Sequence, residues 1–271
     1  MNQQDLDFVC ALVRVRSGMV LGGERAFVVE TRLGPLARRE KLASVEDLIH
    51  RIRDDPAGAL ARATIEAMAV QESSFFRDRQ AFAALQHQVL PSLGAGKSAI
   101  RIWSAGCAQG QEAYSLAMLV AEAEGALPRV EILASDLSTA ALEKAQTGVY
   151  THFEVQRGLA IRRLLEHFDD LEDAWRVRPE LRAGLRWMRL NLIDSFKVQD
   201  GYDLILCRNV LSSFAPDARA AVLARLDGAL VPGGRLMLGA GERAPEHYRP
   251  IDGAPCLFGR AAETVETNVA A

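Results

Sequence analysis

Cysteine is scarce in this chain of 271 residues: Cys10, Cys107, Cys207 and Cys256 are its 4 cysteines, too widely spaced for a CxxC metal site or a dense disulfide frame. They are expected to be buried thiols. Excess charge of one sign is also missing, with 32 Lys and Arg against 35 Asp and Glu, so the cationic density that releases counterions from a polyphosphate is not available. Nucleic acid is a poor partner on that ground. No apolar run reaches the roughly 20 residues that cross a bilayer, because stretches such as 113–123 are broken by Ser115 and Glu122. The start, Met1-Asn2-Gln3-Gln4-Asp5, places an acid where a secretory leader carries Lys or Arg, and this predicts a cytoplasmic protein. The 5 histidines (His50, His87, His152, His167, His247) form no metal-type or catalytic cluster in the sequence. Neither the G-x-G-x-x-G of a dinucleotide fold nor the G-x-x-x-x-G-K-[ST] of a triphosphate site occurs.

What is present divides the chain in two. Residues 1–90 have helical periodicity, with Phe8, Ala11, Leu12 and Val15, then Leu33, Leu36 and Ala37, then Leu48, Ile49 and Ile52 at three- and four-residue steps. Gly22-Gly23, Gly34-Pro35 and Asp54-Asp55-Pro56 are expected breaks, and Ser44 with Asp47 three residues on marks a helix start. A small helical bundle with a linker is expected there. Beyond 91–96 short β-type runs alternate with helical ones: strands at 99–104, 130–134, 202–207 and 234–239, helices at 114–123, 140–145 and 217–230. This alternation predicts a doubly wound α/β domain over 91–260, with a mostly parallel sheet and ligands bound beyond the carboxyl ends of its strands. The segment 261–271 reads as a flexible tail.

The small residues of Ser104-Ala105-Gly106-Cys107-Ala108-Gln109-Gly110 let backbone approach a ligand closely, and Asp136, just past the second strand, is placed to accept hydrogen bonds from two ribose hydroxyls. An adenosine-containing cofactor is implied. Glu112 beside the loop suits a cationic group better than a phosphate, which points to S-adenosylmethionine; it also suits the first turn of a helix as an acid on the dipole.

Gln71-Glu72-Ser73-Ser74-Phe75-Phe76-Arg77-Asp78, Ile102-Trp103-Ser104-Ala105-Gly106-Cys107, Glu112-Ala113-Tyr114-Ser115, Ala134-Ser135-Asp136, Gly148-Val149-Tyr150, Asn191-Leu192, Cys207-Arg208-Asn209-Val210 and Pro232-Gly233-Gly234 resemble, in order, the chemotaxis receptor methyltransferases, the CheR family. The resemblance implies a class I S-adenosylmethionine-dependent methyltransferase fold, an all-α N-terminal domain, and a small β-subdomain inserted at about 151–190. Trp175–Arg178 and Leu185–Trp187 are expected to pair there as a hairpin. Cofactor contacts implied by the resemblance are Gln71, Ser73, Arg77, Gly106, Glu112, Asp136, Asn191, Leu192, Arg208 and Asn209. The implied activity is methyl transfer to glutamate carboxylates of a chemoreceptor or related coiled-coil sensor, leaving S-adenosylhomocysteine. Arg176, Arg178, Arg182, Arg186 and Arg189 suit an acidic helical partner and equally a solvated edge. Phe75 and Phe76 suit a hydrophobic anchor for the linker. The chain departs from the family pattern at Ser212-Ser213-Phe214, where Ile-Tyr-Phe is common, and at Ala240-Gly241-Glu242, where His-Ser-Glu is common. A module that binds the cofactor but has lost or changed its transfer activity is the alternative that Ser213 raises.

Overall fold

The computed structural model describes residues 1–123, 125–195 and 201–261, so nearly all of the expected tail lies outside the described residues. Four helices come first: α1 (Gln3–Ser17), α2 (Arg25–Arg39), α3 (Val45–Asp54) and α4 (Ala59–Met68). Asn2 caps α1 by accepting from the Asp5 amide at 2.8 Å, and Ser44 caps α3 through Asp47 at 3.1 Å, the start signalled by the sequence. The expected break at Gly34-Pro35 does not occur. α2 runs through it because Val29, Leu33, Leu36 and Ala37 form one buried stripe across the proline, and burial outweighs the backbone bond that proline removes.

Next come α5 (Arg79–Ala84), a π-helical turn at Leu85–Val89 and α6 (Leu90–Gly94). Their Phe82, Leu85, Val89, Leu90 and Leu93 join the core that holds Ile100, Ile102 and Leu116, whereas α1–α4 share a core with Trp103, Ile205 and Leu226. The two cores lie on opposite faces of one sheet. That sheet begins with β1 (Ala99–Ala105), followed by α7 (Gln111–Glu122), β2 (Arg129–Asp136) and α8 (Thr139–Thr147). The inserted region contains β3 (Val149–Thr151), α9 (His152–Gln156), α10 (Ile161–His167), β4 (Phe168–Asp170), β5 (Ala174–Val177), α11 (Pro179–Ala183) and β6 (Leu185–Arg189). The chain then returns through β7 (Tyr202–Cys207), α12 (Pro216–Ala229), β8 (Leu230–Leu238), β9 (Tyr248–Ile251) and β10 (Ala254–Arg260).

The strand order is β6-β2-β1-β7-β8-β10-β9, parallel except that β10 runs antiparallel to both of its neighbours. Central strand β7 is buried at all six positions, as a parallel strand covered on both faces must be. Its one acid, Asp203, is paired with Lys97 and accepts from the Arg101 amide at 2.7 Å. Connections leave β1 toward β2 and β6, and leave β7 toward β8, so the order reverses between β1 and β7, where such sheets open a ligand crevice.

The hairpin expected of Trp175–Arg178 and Leu185–Trp187 does not form. Ala174–Val177 is the middle strand of a separate antiparallel sheet, β3-β5-β4, while Leu185–Arg189 pairs in parallel with β2 at the edge of the main sheet. Trp187 is drawn there by packing on Tyr114 of α7, with ring centroids 5.6 Å apart. Periodicity identified both strands but not their partners. The thiols need a correction as well: Cys107 and Cys207 are buried, but Cys10 and Cys256 are half-exposed. Cys10 sits on the shoulder of the buried stripe of α1, and Cys256 stands where the β9–β10 register shifts. Among the described residues no helix is long and apolar enough to cross a membrane, and no His, Cys, Asp or Glu cluster fits a metal ion.

Candidate functional site

The turn after β1 is fixed by backbone geometry. Gly106 has φ +81°, and a Cβ on it would stand 2.5 Å from Val210 Cγ2; Gly110, φ +91°, caps α7 where a Cβ would stand 2.8 Å from Ala145. Between them Ala108 also takes a left-handed conformation, φ 48°. The Gly106 and Cys107 amides donate to Ser135 O at 2.8 and 2.9 Å, which ties the turn to the end of β2. Asp136 completes it by accepting from the Ala108 and Ser138 amides, both at 2.9 Å. These two amides leave the carboxylate acceptor capacity facing the cavity. Burial raises the Asp136 pKa, opposed by hydrogen bonds from Ser138, Ala108 and Gln71. Burial likewise pushes the Cys107 thiol well up, with Asp136 and Glu112 adding to the effect, so this thiol is no nucleophile at neutral pH.

Glu112 does not turn back to its own helix terminus. Its carboxylate accepts from Ser104 Oγ at 2.8 Å and from Arg208 Nη1 at 3.0 Å. Arg208, at the end of β7, is 2% exposed in its side chain and also donates to Arg77 O at 2.9 Å and Asp78 Oδ2 at 2.5 Å. One guanidinium thus joins the β1 turn, the β7 end and the linker, as a strut. Next to it Asn209 adopts φ 60°, its amide donating to Glu242 Oε2 at 3.0 Å.

The linker closes the opposite side. Phe75 is fully buried edge-on against Tyr150 (5.0 Å) and Phe168 (5.6 Å), and Phe76 packs on Phe82 (5.4 Å) under the Arg163 guanidinium (4.0 Å). The two rings are the anchor that the sequence suggested, and they hold Gln71, Ser73 and Arg77 over the turn. The N-terminal helices add to this wall: Asn191 Nδ2 donates to Arg16 O at 2.8 Å, and the Val20 amide donates to Ser213 O at 2.8 Å beside a Met19–Phe214 bridge.

All ten residues singled out in the sequence (Gln71, Ser73, Arg77, Gly106, Glu112, Asp136, Asn191, Leu192, Arg208 and Asn209) line one cavity of about 360 Å³. Sequence reasoning missed Ser17 and Met19, which reach the cavity from the end of α1 with no local signal, and Val210, quoted in the Cys207–Val210 motif but given no role. Of the five arginines of the insert region, Arg178 pairs with Asp169 at 3.4 Å and Arg189 with Glu66 at 3.2 Å, while Arg176 and Arg186 are exposed.

The cavity's polar chemistry is mostly that of an acceptor. Besides the carboxylates of Asp136 and Glu112, the amide oxygens of Gln71 and Asn209 are buried without a hydrogen-bond partner. Such groups call for a ligand rich in N–H and O–H donors and bearing positive charge. S-adenosylmethionine, with its ammonium, sulfonium and two ribose hydroxyls, fits that set, and Arg77 offers a cation for its carboxylate.

Residues 71–255 match the family model described as CheR methyltransferase, SAM binding domain, and residues 4–69 match CheR methyltransferase, all-alpha domain. The chain is 36% identical over 268 residues to chemotaxis protein methyltransferase 1 of Pseudomonas aeruginosa, covering 95% of this chain and 97% of that one. It is 38% identical over 246 residues to the chemotaxis protein methyltransferase of Vibrio parahaemolyticus, 89% of each chain. A turn built for close backbone approach, an acceptor-lined cavity at the reversal of a doubly wound sheet, and similarity along nearly the whole length agree: this chain belongs to the CheR family, with the class I S-adenosylmethionine-dependent methyltransferase fold behind an all-α N-terminal domain.

Proposed function

We propose that the protein transfers a methyl group from S-adenosylmethionine to glutamate side-chain carboxylates of a chemoreceptor or related coiled-coil sensory protein, in the cytoplasm and without inserting into a membrane. The observation that carries this reading is the convergence of four acceptor groups, on Gln71, Glu112, Asp136 and Asn209, upon a cavity that holds no nucleophile–base pair among its described residues. The cofactor supplies a methyl group activated by its sulfonium. An acceptor glutamate, with an ordinary pKa of about 4.3, is already ionised at neutral pH and needs no general base. Ser213, at the rim, has its hydroxyl committed to Val210 O at 2.7 Å, and Cys107 is kept protonated by burial.

The chain's own task is then to orient. Asp136 takes the ribose hydroxyls, and Gln71, Ser73 and Arg77 cover the cofactor from the linker. Asn191, Leu192 and Asn209 line its adenine and methionine ends, with Gly106 giving close backbone approach. Glu112 faces its cationic end, and Arg208 holds Glu112 in place. Near-attack positioning of two groups is worth roughly 7 to 11 kcal/mol, and exclusion of water favours a step in which an anion meets a sulfonium. The two-domain division, with the insert at about 151–190 facing the receptor, goes with this reading.

One observation favours the second reading, a cofactor-binding signalling module with lost or altered transfer: no phenol stands at Ser213, and the hydroxyl there is already bonded within its own turn. Incubation with methyl-labelled S-adenosylmethionine and receptor-bearing membranes separates the two. A base-labile label on receptor glutamates is the expected result; tight cofactor binding with no label transferred overturns the first reading.

A further inference from the structure

We propose that Glu242, which lies outside the cavity on the turn after β8, is a positioning residue that sets the cofactor-facing wall at Asn209 and, through Val210, the Gly106 turn. Its Oε2 accepts the Gly239 amide at 2.7 Å and the Asn209 amide at 3.0 Å, while its Oε1 accepts the Ser212 amide at 3.1 Å. One carboxylate therefore joins the loops that leave two adjacent strands, β7 and β8. Hydrogen bonds to an ionised acceptor are about twice as strong as neutral ones, and three converge here. The close approach is built in: a Cβ on Gly239 would stand 2.7 Å from both Asn209 nitrogens and 2.8 Å from Glu242 Oε2.

The rest of the loop has other supports. Arg219 of α12 donates to Leu211 O at 2.9 Å and Phe214 O at 3.3 Å, and the Val20 amide donates to Ser213 O. These hold the far end and leave the Asn209 and Ser212 amides to Glu242. Two consequences face the cavity. Asn209, in a left-handed conformation uncommon for a residue with a side chain, presents a buried amide oxygen with no protein partner. Val210 stands so close to Gly106 that no Cβ fits between them, so a shift of Val210 moves the turn that approaches the cofactor. The inference rests on cofactor binding by this domain and not on a glutamate as methyl acceptor.

The test is calorimetric titration of the full chain with S-adenosylhomocysteine, alongside thermal melts, for Glu242→Ala, Glu242→Gln, Asn209→Ala and the double variant. Glu242→Ala is expected to weaken binding about tenfold or more in folded protein. Glu242→Gln keeps an oxygen for Gly239 and Asn209 but turns an NH₂ toward the Ser212 amide, and is expected to lose roughly threefold. If Glu242 acts through Asn209, adding Asn209→Ala to Glu242→Ala costs nothing further, a non-additivity that a purely structural role does not produce. Arg243→Ala, exposed in the same turn, is expected to retain wild-type affinity. Wild-type affinity in folded Glu242→Ala, or additive losses in the double variant, overturns the proposal. Should Glu242→Ala not fold, the same cycle with Glu242→Gln decides it, and unchanged affinity or additivity there overturns it equally.

Discussion

One wall of the cavity, Gly106, Ala108, Glu112 and Asp136, belongs to a single βαβ unit, and its shape comes mainly from backbone conformation and amide hydrogen bonds. The other wall gathers Ser17, Met19, Gln71–Ser74, Arg77, Asn191, Arg208–Val210 and Ser212–Ser213 from distant parts of the chain, joined by side chains: Arg208 to Glu112 and Asp78, Asn191 to Arg16. A local wall resists the loss of one side chain but not the addition of one. An assembled wall behaves in the opposite way.

Arg208→Met is the severest break of the assembled wall, because it leaves Glu112, 12% exposed, facing no cation. Removing one partner of a buried pair costs about 3 kcal/mol or more, so a clear fall in denaturation midpoint is expected, with cofactor affinity lost as well. On the local wall the corresponding break is an addition. Gly106→Ala forces a Cβ into a left-handed residue against Val210, so a fall in melting temperature is expected together with a loss of about 2 kcal/mol, roughly 30-fold, in S-adenosylhomocysteine affinity by calorimetry.

Asp136→Asn sharpens the contrast, since it keeps the volume but sets an NH₂ against the Ala108 or Ser138 amide; a loss of about 1 to 3 kcal/mol in cofactor affinity is expected. The same residue gives a pH dependence. Burial holds its folded pKa above the unfolded value, so Asp136's own contribution to the stability of the apoprotein rises as pH falls through the window between them, against the opposite contributions of Glu122, Glu154 and Asp227, whose pKa values are lowered. The ribose hydroxyls need the ionised carboxylate, so cofactor affinity is expected to fall over the same window; melts of the protein against Asp136→Asn isolate the stability trend, and titrations over the same pH range check that affinity opposes it. The smallest effect belongs to Glu72→Ala. Glu72 and Arg157 are 64% and 44% exposed in a surface pair, and at most about 0.5 kcal/mol in denaturant-measured stability is expected.

The same contrast governs what the sequence made legible. β1, β2 and β7 announced themselves by apolar runs, and the Gly106 turn and Asp136 by residue types that only a few backbone conformations favour. The ten cavity residues were placed together through ordered motifs, although Arg208 is held by Glu112 and Asp78 as a strut, a role that appears only when three segments meet. Partner choice was not legible. Leu185–Arg189 has strand periodicity wherever it pairs, and its place beside β2 depends on Trp187 finding Tyr114. Nor does local chemistry reveal that a proline inside α2 is carried by a continuous buried stripe, that Met19 reaches the cavity from α1, or that Glu242 gathers three amides from two loops.

The central claim is that the two walls hold opposite sides of one methyl donor, and a crystal structure of the protein grown with S-adenosylhomocysteine tests it most directly. The expected result is a nucleoside whose ribose hydroxyls lie within hydrogen-bond distance of Asp136, with its amino-acid end between Glu112 and Arg77. A ligand bound elsewhere, or a ribose that makes no contact with Asp136, contradicts it.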